Sequence, residues 1–318
     1  MKLQSRHHHH ADLQAVLAAG TASAYDSAGV DYLTYADGNA TEPFDFDSCY
    51  SFADREIWHK IDHKLEQLAA DGRRTLRVLD AGCGPGTWLT RVILGARSLG
   101  FHTIEAFGFD LSPAMVTLAS ARAARITGDD TTLNIAVGDI TKPLPFDDQT
   151  FDITLCLYGV LNHLSKADHA HVAAELARVT LDTLFVTART AGSLPTIYVD
   201  GLERARAFHQ DNDADWMDVD LTDGRHLGFP SHLFTSDELQ ALFQPHLDTT
   251  AMTGLDVFHS RFARNPHWNP AGMKGAEAFE EDLDRLERLY ASNPHFIDRA
   301  AHILIVGETF VPTTKRSA

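Results

Sequence analysis

VLDAGCGPGTW, residues Val78 to Trp88, decides how the rest of this sequence is read. An apolar, strand-forming run (Leu76 to Leu79) ends in an acid, Asp80. Three glycines follow at alternate positions, Gly82, Gly84 and Gly86, and an amphipathic stretch begins after them. Strand, glycine turn and helix N-terminus together hold a polar ligand against exposed backbone N–H groups. Glycine suits such a turn because a Cβ would keep the ligand off the backbone and because the chain there visits positive φ. The dinucleotide pattern G-x-G-x-x-G is not met, since its sixth position here is Thr87. Asp80 also repels a pyrophosphate and suits an ammonium group or an amide-rich neighbourhood.

The chain around this turn has 318 residues, 44% of them hydrophobic and 22% charged, which suits one elaborated α/β domain or one domain with a cap. Its formal net charge is −17, and its one basic cluster is small (Arg73, Arg74, Arg77). Gripping nucleic acid takes a basic footprint, so a nucleic-acid partner is not expected. Cys49, Cys83 and Cys156 lack metal-ligand spacing and fit a reducing compartment. No His-Glu-x-x-His motif occurs, and no metal site is expected. No apolar run approaches the ~20 residues of a membrane span, and the opening MKLQSRHHHHADLQ has no apolar core of a secretory signal. The expectation is a cytoplasmic protein without a membrane partner; oligomeric state is not legible. The run His7 to His10 is set aside.

Outward from the turn, short apolar runs alternate with helical periodicity. Strands are expected at Leu76–Ala81, Thr103–Asp110, Leu133–Val137, Phe151–Leu157 and Leu184–Ala188. Between them lie a helix with Leu89, Val92, Ile93 and Ala96 on one face, one opened by Ser112-Pro113, and one from Lys166 to Val179. This alternation implies a parallel sheet covered on both faces. Upstream, ADLQAVLAAG reads as a helix stopped by Gly20, and Ile57, Ile61, Leu65 and Leu68 mark another. Tyr25, Tyr32 and Tyr35 lie over a ligand or pack a capping helix. Downstream, residues 191–234 form a long connection with a hairpin turn at Asp223-Gly224, the kind of segment that serves as a lid. A helix capped by Thr235 or Ser236, a strand at Thr249–Phe258, a helix striped by Phe279, Leu283, Leu286 and Tyr290, and the closing strand HILIVGETF complete the chain.

Three further signals fall at strand C-terminal ends, where open α/β sheets bind ligands. Asp110 and Leu111 follow the second strand, Asp139 and Ile140 the third, and Leu157 and Tyr158 the fourth. A carboxylate at the second position accepts from both hydroxyls of a ribose. A polar acceptor followed by an apolar side chain suits an adenine. Each alone is also an ordinary turn or cap residue; together, in order, they mark one site.

This set resembles the class I S-adenosylmethionine-dependent methyltransferases of small-molecule type, over roughly residues 76–190 and the terminal strand. The resemblance implies a doubly wound, mostly parallel seven-stranded sheet whose last strand is antiparallel, with N-terminal and inserted cap segments. It implies that Asp80, Gly82, Gly84 and Gly86 hold the methionine part of S-adenosylmethionine, Asp110 and Leu111 the ribose side, Asp139 and Ile140 the adenine, and Leu157 and Tyr158 the face near the sulfonium. It divides the chain into an N-terminal helical segment covering the cofactor (1–70), the cofactor-binding core (71–190), the rest of the sheet with two cap insertions (191–301), and a final strand and tail (302–318). Arg55 would meet the cofactor's carboxylate. His163, in VLNHL, is the catalytic candidate; it takes a proton, contacts cofactor or substrate, or fixes its loop. His226, His232 and the acids near them form a second polar pool, and Arg189 faces the pocket or pairs with an acid. The Pro-Gly-Gly turn that many relatives place before the fifth strand is missing from ARVTLDTLFV. The implied function is in-line methyl transfer from S-adenosylmethionine, leaving S-adenosylhomocysteine, to a small-molecule nucleophile. The alternatives are a nicotinamide-dependent oxidoreductase on a Rossmann sheet and a non-catalytic S-adenosylmethionine-binding protein.

Overall fold

Ten strands run in chain order as β1 (Thr75–Ala81), β2 (Thr103–Asp110), β3 (Thr131–Val137), β4 (Phe151–Cys156), β5 (Thr180–Arg189), β6 (Ala205–Asp211), β7 (Trp216–Leu221), β8 (His226–Pro230), β9 (Asp248–Leu255) and β10 (His302–Glu308). They belong to a computed structural model that describes residues 16–37, 42–46, 48, 50–192, 205–262 and 276–310. Seven of them form one sheet in the order β3-β2-β1-β4-β5-β10-β9, and β6-β7-β8 form a separate antiparallel sheet. Strands β1 to β5 are parallel, while β10 runs antiparallel to both its neighbours. The strand order reverses between β1 and β4, and that switch point opens a crevice beyond the strand C-termini.

The helices are α1 (16–28), α2 (Asp31–Asp37), α3 (Ser51–Ala70), α4 (Thr87–Ser98), α5 (Pro113–Ile126), α6 (Lys166–Val179), α7 (Ser236–Phe243), α8 (His259–Phe262) and α9 (Ala276–Tyr290). On one face of the sheet, Ile57, Ile61 and Leu65 of α3 and Leu89, Val92 and Ile93 of α4 pack on Val78, Ile153 and Leu155. On the other, Val172 and Leu176 of α6 and Leu239 and Phe243 of α7 pack on Val186, Ile303 and Ile305. Each such side chain contributes about 1.5–3 kcal/mol by leaving water. Strand β4 is buried along its whole length, as a central parallel strand must be.

Where elements differ from the sequence expectation, a specific contact explains it. Gly20 does not stop α1, which continues to residue 28 and ends at Gly29 (φ 51°). Gly20 is there because α1 lies against β8: a Cβ would sit 2.6 Å from the Gly228 carbonyl oxygen. Strand β5 begins at Thr180 rather than Leu184, immediately after α6, so no connecting turn is needed. The Thr180 hydroxyl donates to the Leu176 carbonyl (2.7 Å) and contacts the Thr154 hydroxyl (2.8 Å), closing the helix and opening the strand. Strand β9 ends at Leu255 instead of Phe258, where Asp256 turns to φ 60°. The next three N–H groups, of Val257, Phe258 and His259, all donate to the buried Glu287 carboxylate of α9 (3.0, 2.5 and 2.6 Å). The hairpin at Asp223-Gly224 forms as β7–β8, and β6 joins it as a third strand that the sequence did not announce. No described helix is long and apolar enough to cross a membrane.

Candidate active site

At the switch point the described residues enclose a cavity of about 1300 Å³, counted with its open mouth, between the strand C-termini and a roof made by α1 and α2. Of the residues singled out from sequence, Asp80, Gly82, Gly84, Asp110, Leu111, Asp139, Ile140, Leu157, Tyr158 and His163 all line it. Gly86 does not. It caps α4 in the left-handed conformation (φ 78°), where a Cβ would come within 3.2 Å of Ala119 on α5. Its role is to let two helices meet.

The glycine turn is tied to β2 by backbone. The N–H groups of Gly82 and Cys83 donate to the Phe109 carbonyl (2.8 and 2.9 Å), and Gly84 N–H donates to Asp110 Oδ2 (2.8 Å). Asp110 Oδ1 accepts from Ser112 N–H (2.9 Å). Asp110 thus staples the turn before it touches any ligand, and each of its oxygens keeps a second lone pair. Burial raises its pKa, partly offset by those N–H donors.

Asp80 is different. It is 2% exposed, and its Oδ2 has no hydrogen-bond partner. Burial, with the Asp110 charge adding to it, pushes its carboxyl up to about 7. A buried carboxylate oxygen left without a partner is costly, and Asp80 is one of the residues lining the cavity. The donor that fits is a small cation bearing N–H groups, such as the ammonium of an amino acid. Gly84 leaves the adjacent space clear: an added Cβ would meet only Tyr32 Cε1, at 3.9 Å. These two observations fit the methionine part of S-adenosylmethionine.

Asp139 closes a local turn, accepting from Thr141 N–H (2.9 Å) and the Thr141 hydroxyl (2.7 Å), with Ile140 packed beside it. Tyr158 adopts φ 54°, which carries the chain out of β4. Its ring stacks near Tyr50 and Trp88, with centroids 5.9 and 6.1 Å apart. Its hydroxyl donates to the Asp54 carboxylate, and burial raises its pKa well above the usual tyrosine value.

His163 sits on a single 3-10 turn, Leu161–His163, after β4. Its Nδ1 lies 2.9 Å from the Pro230 carbonyl oxygen, which can only accept, so Nδ1 carries the proton. Its Nε2 is therefore an acceptor and faces the Tyr25 hydroxyl at 3.0 Å. Burial lowers the imidazole pKa to about 4, which keeps the ring neutral.

Sequence reasoning missed one wall. Ser48, Tyr50, Asp54 and Trp88 line the cavity beside Tyr158. Asp54 accepts from the Ser48 hydroxyl (2.9 Å) and lies 3.6 Å from the Arg91 guanidinium, which stacks over Phe46 and Trp88. The available signal was an acid on the buried stripe of α3, three residues before Ile57. Arg55, the expected carboxylate partner, instead lies half-exposed and reaches Asp284 (3.4 Å). Arg189 is buried, and its backbone joins Asn162 and Phe234 rather than the cavity. His226 bridges Asp218 and Asp220 on an exposed hairpin face. His232 is buried between Asp215 (2.7 Å) and Glu238 (3.0 Å), outside the lining. Tyr25 and Tyr32 line the cavity; the Tyr35 side chain, Cys49 and the His7–His10 run lie outside the described residues. No metal-binding group of His, Cys, Asp or Glu occurs among the described residues.

A sheet with this order and one reversed strand, opened at a glycine turn under an acid, is the Rossmann-like fold of the S-adenosylmethionine-dependent methyltransferases. Residues 78–182 match a family model described as methyltransferase domain. Two solved structures of one protein share the fold. Magnesium protoporphyrin IX methyltransferase from Synechocystis PCC 6803, with bound S-adenosylhomocysteine, is 14% identical over 91% of this chain and 98% of that one, with a TM-score of 0.51. The same protein with bound S-adenosylmethionine is 13% identical over 92% and 97%, with a TM-score of 0.50. An S-adenosylmethionine-dependent methyltransferase from Methanosarcina mazei is 14% identical over 76% and 95%, at 0.45. No curated protein sequence matches the chain.

Proposed function

We propose that the protein moves the methyl group of S-adenosylmethionine to a small-molecule nucleophile inside the roofed cavity, with Asp80, Gly82, Gly84, Asp110, Leu111, Asp139, Ile140, Leu157 and Tyr158 forming the cofactor wall. The observation that carries this is the open, buried oxygen of Asp80 beside the unobstructed Gly84. The cofactor, when bound, supplies a methyl group already activated by positive charge on sulfur, so the protein's task is largely positioning and water exclusion. Asp80 pairs with the amino-acid ammonium. Asp110 offers its remaining lone pairs to the ribose hydroxyls while holding the turn, and Ile140 packs on the adenine.

His163 and Tyr25 are the groups placed to move a proton. Tyr25 donates to Nε2 and both residues line the cavity, so a route for a proton from the acceptor runs through Tyr25 to His163. Roofing by α1, the acidic cavity and the net charge of −17 support a small molecule over a nucleic acid.

Calorimetric titration with S-adenosylhomocysteine tests the cofactor site. The folded Asp80 pKa is raised, so the carboxyl holds its proton below about 7 and must lose it to pair with the ammonium. Affinity is therefore expected to fall by up to about tenfold per pH unit below 7. Asp80→Asn is expected to weaken binding about 10- to 100-fold and to flatten that profile. A flat wild-type profile removes Asp80 from the site.

A further inference from the structure

We infer that the acceptor half of the cavity takes a cationic amine carried on an apolar skeleton, and not a carboxylate or phosphate. This rests on the methyltransferase reading and narrows its substrate. Five carboxylates line the cavity, those of Asp54, Asp80, Asp110, Asp139 and Asp168, and among the described lining residues there is no lysine or arginine. The two cations close behind are already placed: Arg91 against Asp54 and Lys142 near Asp139 (both 3.6 Å). Asp80, Asp110 and Asp139 belong to the cofactor wall, which leaves Asp54 and Asp168 as the carboxylates available to an acceptor. Bound S-adenosylmethionine carries one net positive charge, from sulfonium, ammonium and carboxylate.

The second observation is the aromatic wall around Asp54. Tyr50, Trp88 and Tyr158 offer aromatic surface, and Ser48, Asp54 and the Tyr158 hydroxyl are its polar members. Aromatic faces and carboxylates both favour a cation. An anionic acceptor would meet Asp54 first, with the Arg91 guanidinium behind it, wedged at 4.7 and 4.6 Å over the Phe46 and Trp88 rings. The neutral His163, which also lines the cavity, supplies no counter-charge either.

The test uses the full chain saturated with S-adenosylhomocysteine and three probes of one skeleton: 2-phenylethylamine, 3-phenylpropionate and 2-phenylethyl phosphate. Calorimetry is expected to show the amine bound at least about tenfold more tightly than either anion, with an affinity that falls as salt is raised. Equal or tighter binding of an anion, or no binding of any probe while S-adenosylhomocysteine binds, overturns the inference and leaves the methyltransferase reading standing. Failure to bind S-adenosylhomocysteine removes both. Asp54→Asn, checked for folding by its S-adenosylhomocysteine affinity, leaves Arg91 without its counter-charge and is expected to cut the amine-to-carboxylate ratio at least about fivefold. An unchanged ratio in that folded variant also overturns the inference; if the variant does not fold, the wild-type probe series decides.

Discussion

Gly82, Gly84 and Gly86 look equivalent in VLDAGCGPGTW, and all three adopt positive φ (80°, 52° and 78°). Their surroundings separate them. A Cβ on Gly82 would stand 2.4 Å from Val160 Cγ2, and one on Gly86 would press on Ala119, whereas Gly84 opens to the cavity. Gly82 and Gly86 are therefore held to glycine by packing, while the Cβ side of Gly84 is open. Gly82→Ala and Gly86→Ala are each expected to destabilise the protein by about 1–3 kcal/mol, through overpacking and the left-handed backbone. Gly84→Leu should cost only the backbone term, about 1–2 kcal/mol, yet lower affinity for S-adenosylhomocysteine at least about 100-fold, a loss of roughly 2.7 kcal/mol. Thermal melts paired with calorimetry check this, and wild-type affinity in Gly84→Leu would sink the assignment. The glycine signature was legible in the sequence because the turn demands that residue type. Which glycine faces the ligand was not, because Val160, Ala119 and Tyr32 come from three other segments.

Elements of the sheet were legible for a simple reason: buried parallel strands read as continuous apolar runs, and Phe151–Cys156 is buried throughout. The roof was not. The cavity-facing stripe of α1 is Leu17, Ala18, Thr21, Ala22 and Tyr25, three of them small, so its amphipathic contrast is weak, and Gly20 imitates a stop. Yet this helix carries Tyr25 to His163. His163→Ala is expected to slow transfer of labelled methyl to the enzyme's acceptor about 100-fold or more while changing S-adenosylhomocysteine affinity less than about threefold, under 1 kcal/mol. Tyr25→Phe keeps the ring contacts with Tyr32 and His163 and removes only the hydroxyl. It should slow transfer in the same direction. Wild-type rates in both variants would reduce the pair to a packing contact that fixes the 161–163 turn.

On the scale of the whole molecule, the roof and the three-stranded sheet behave as one body laid over the switch point. Gly20 touches the Gly228 backbone, Ala24 joins Met217, Val219 and Phe229 in a small apolar cluster, and Arg225 donates to the Ser27 hydroxyl (2.9 Å). Behind His163, the cap is pinned to the core: His232 N–H donates to the Asn162 carbonyl (2.8 Å), and the Asn162 side-chain amide donates to the Arg189 carbonyl (3.1 Å). None of these pairings has a local sequence signal, since each joins segments separated by 27 to about 200 positions. These contacts tie α1 to β7 and β8, so ordering of one is expected to be coupled to ordering of the other. Hydrogen exchange with and without S-adenosylhomocysteine should therefore show protection rising in parallel across residues 16–28 and 216–230, while β1 and β4, already buried, change little. If the ligand protects the α1 segment alone, the cap sheet is a fixed part of the core, and access to the cavity is controlled by the N-terminal helices without it.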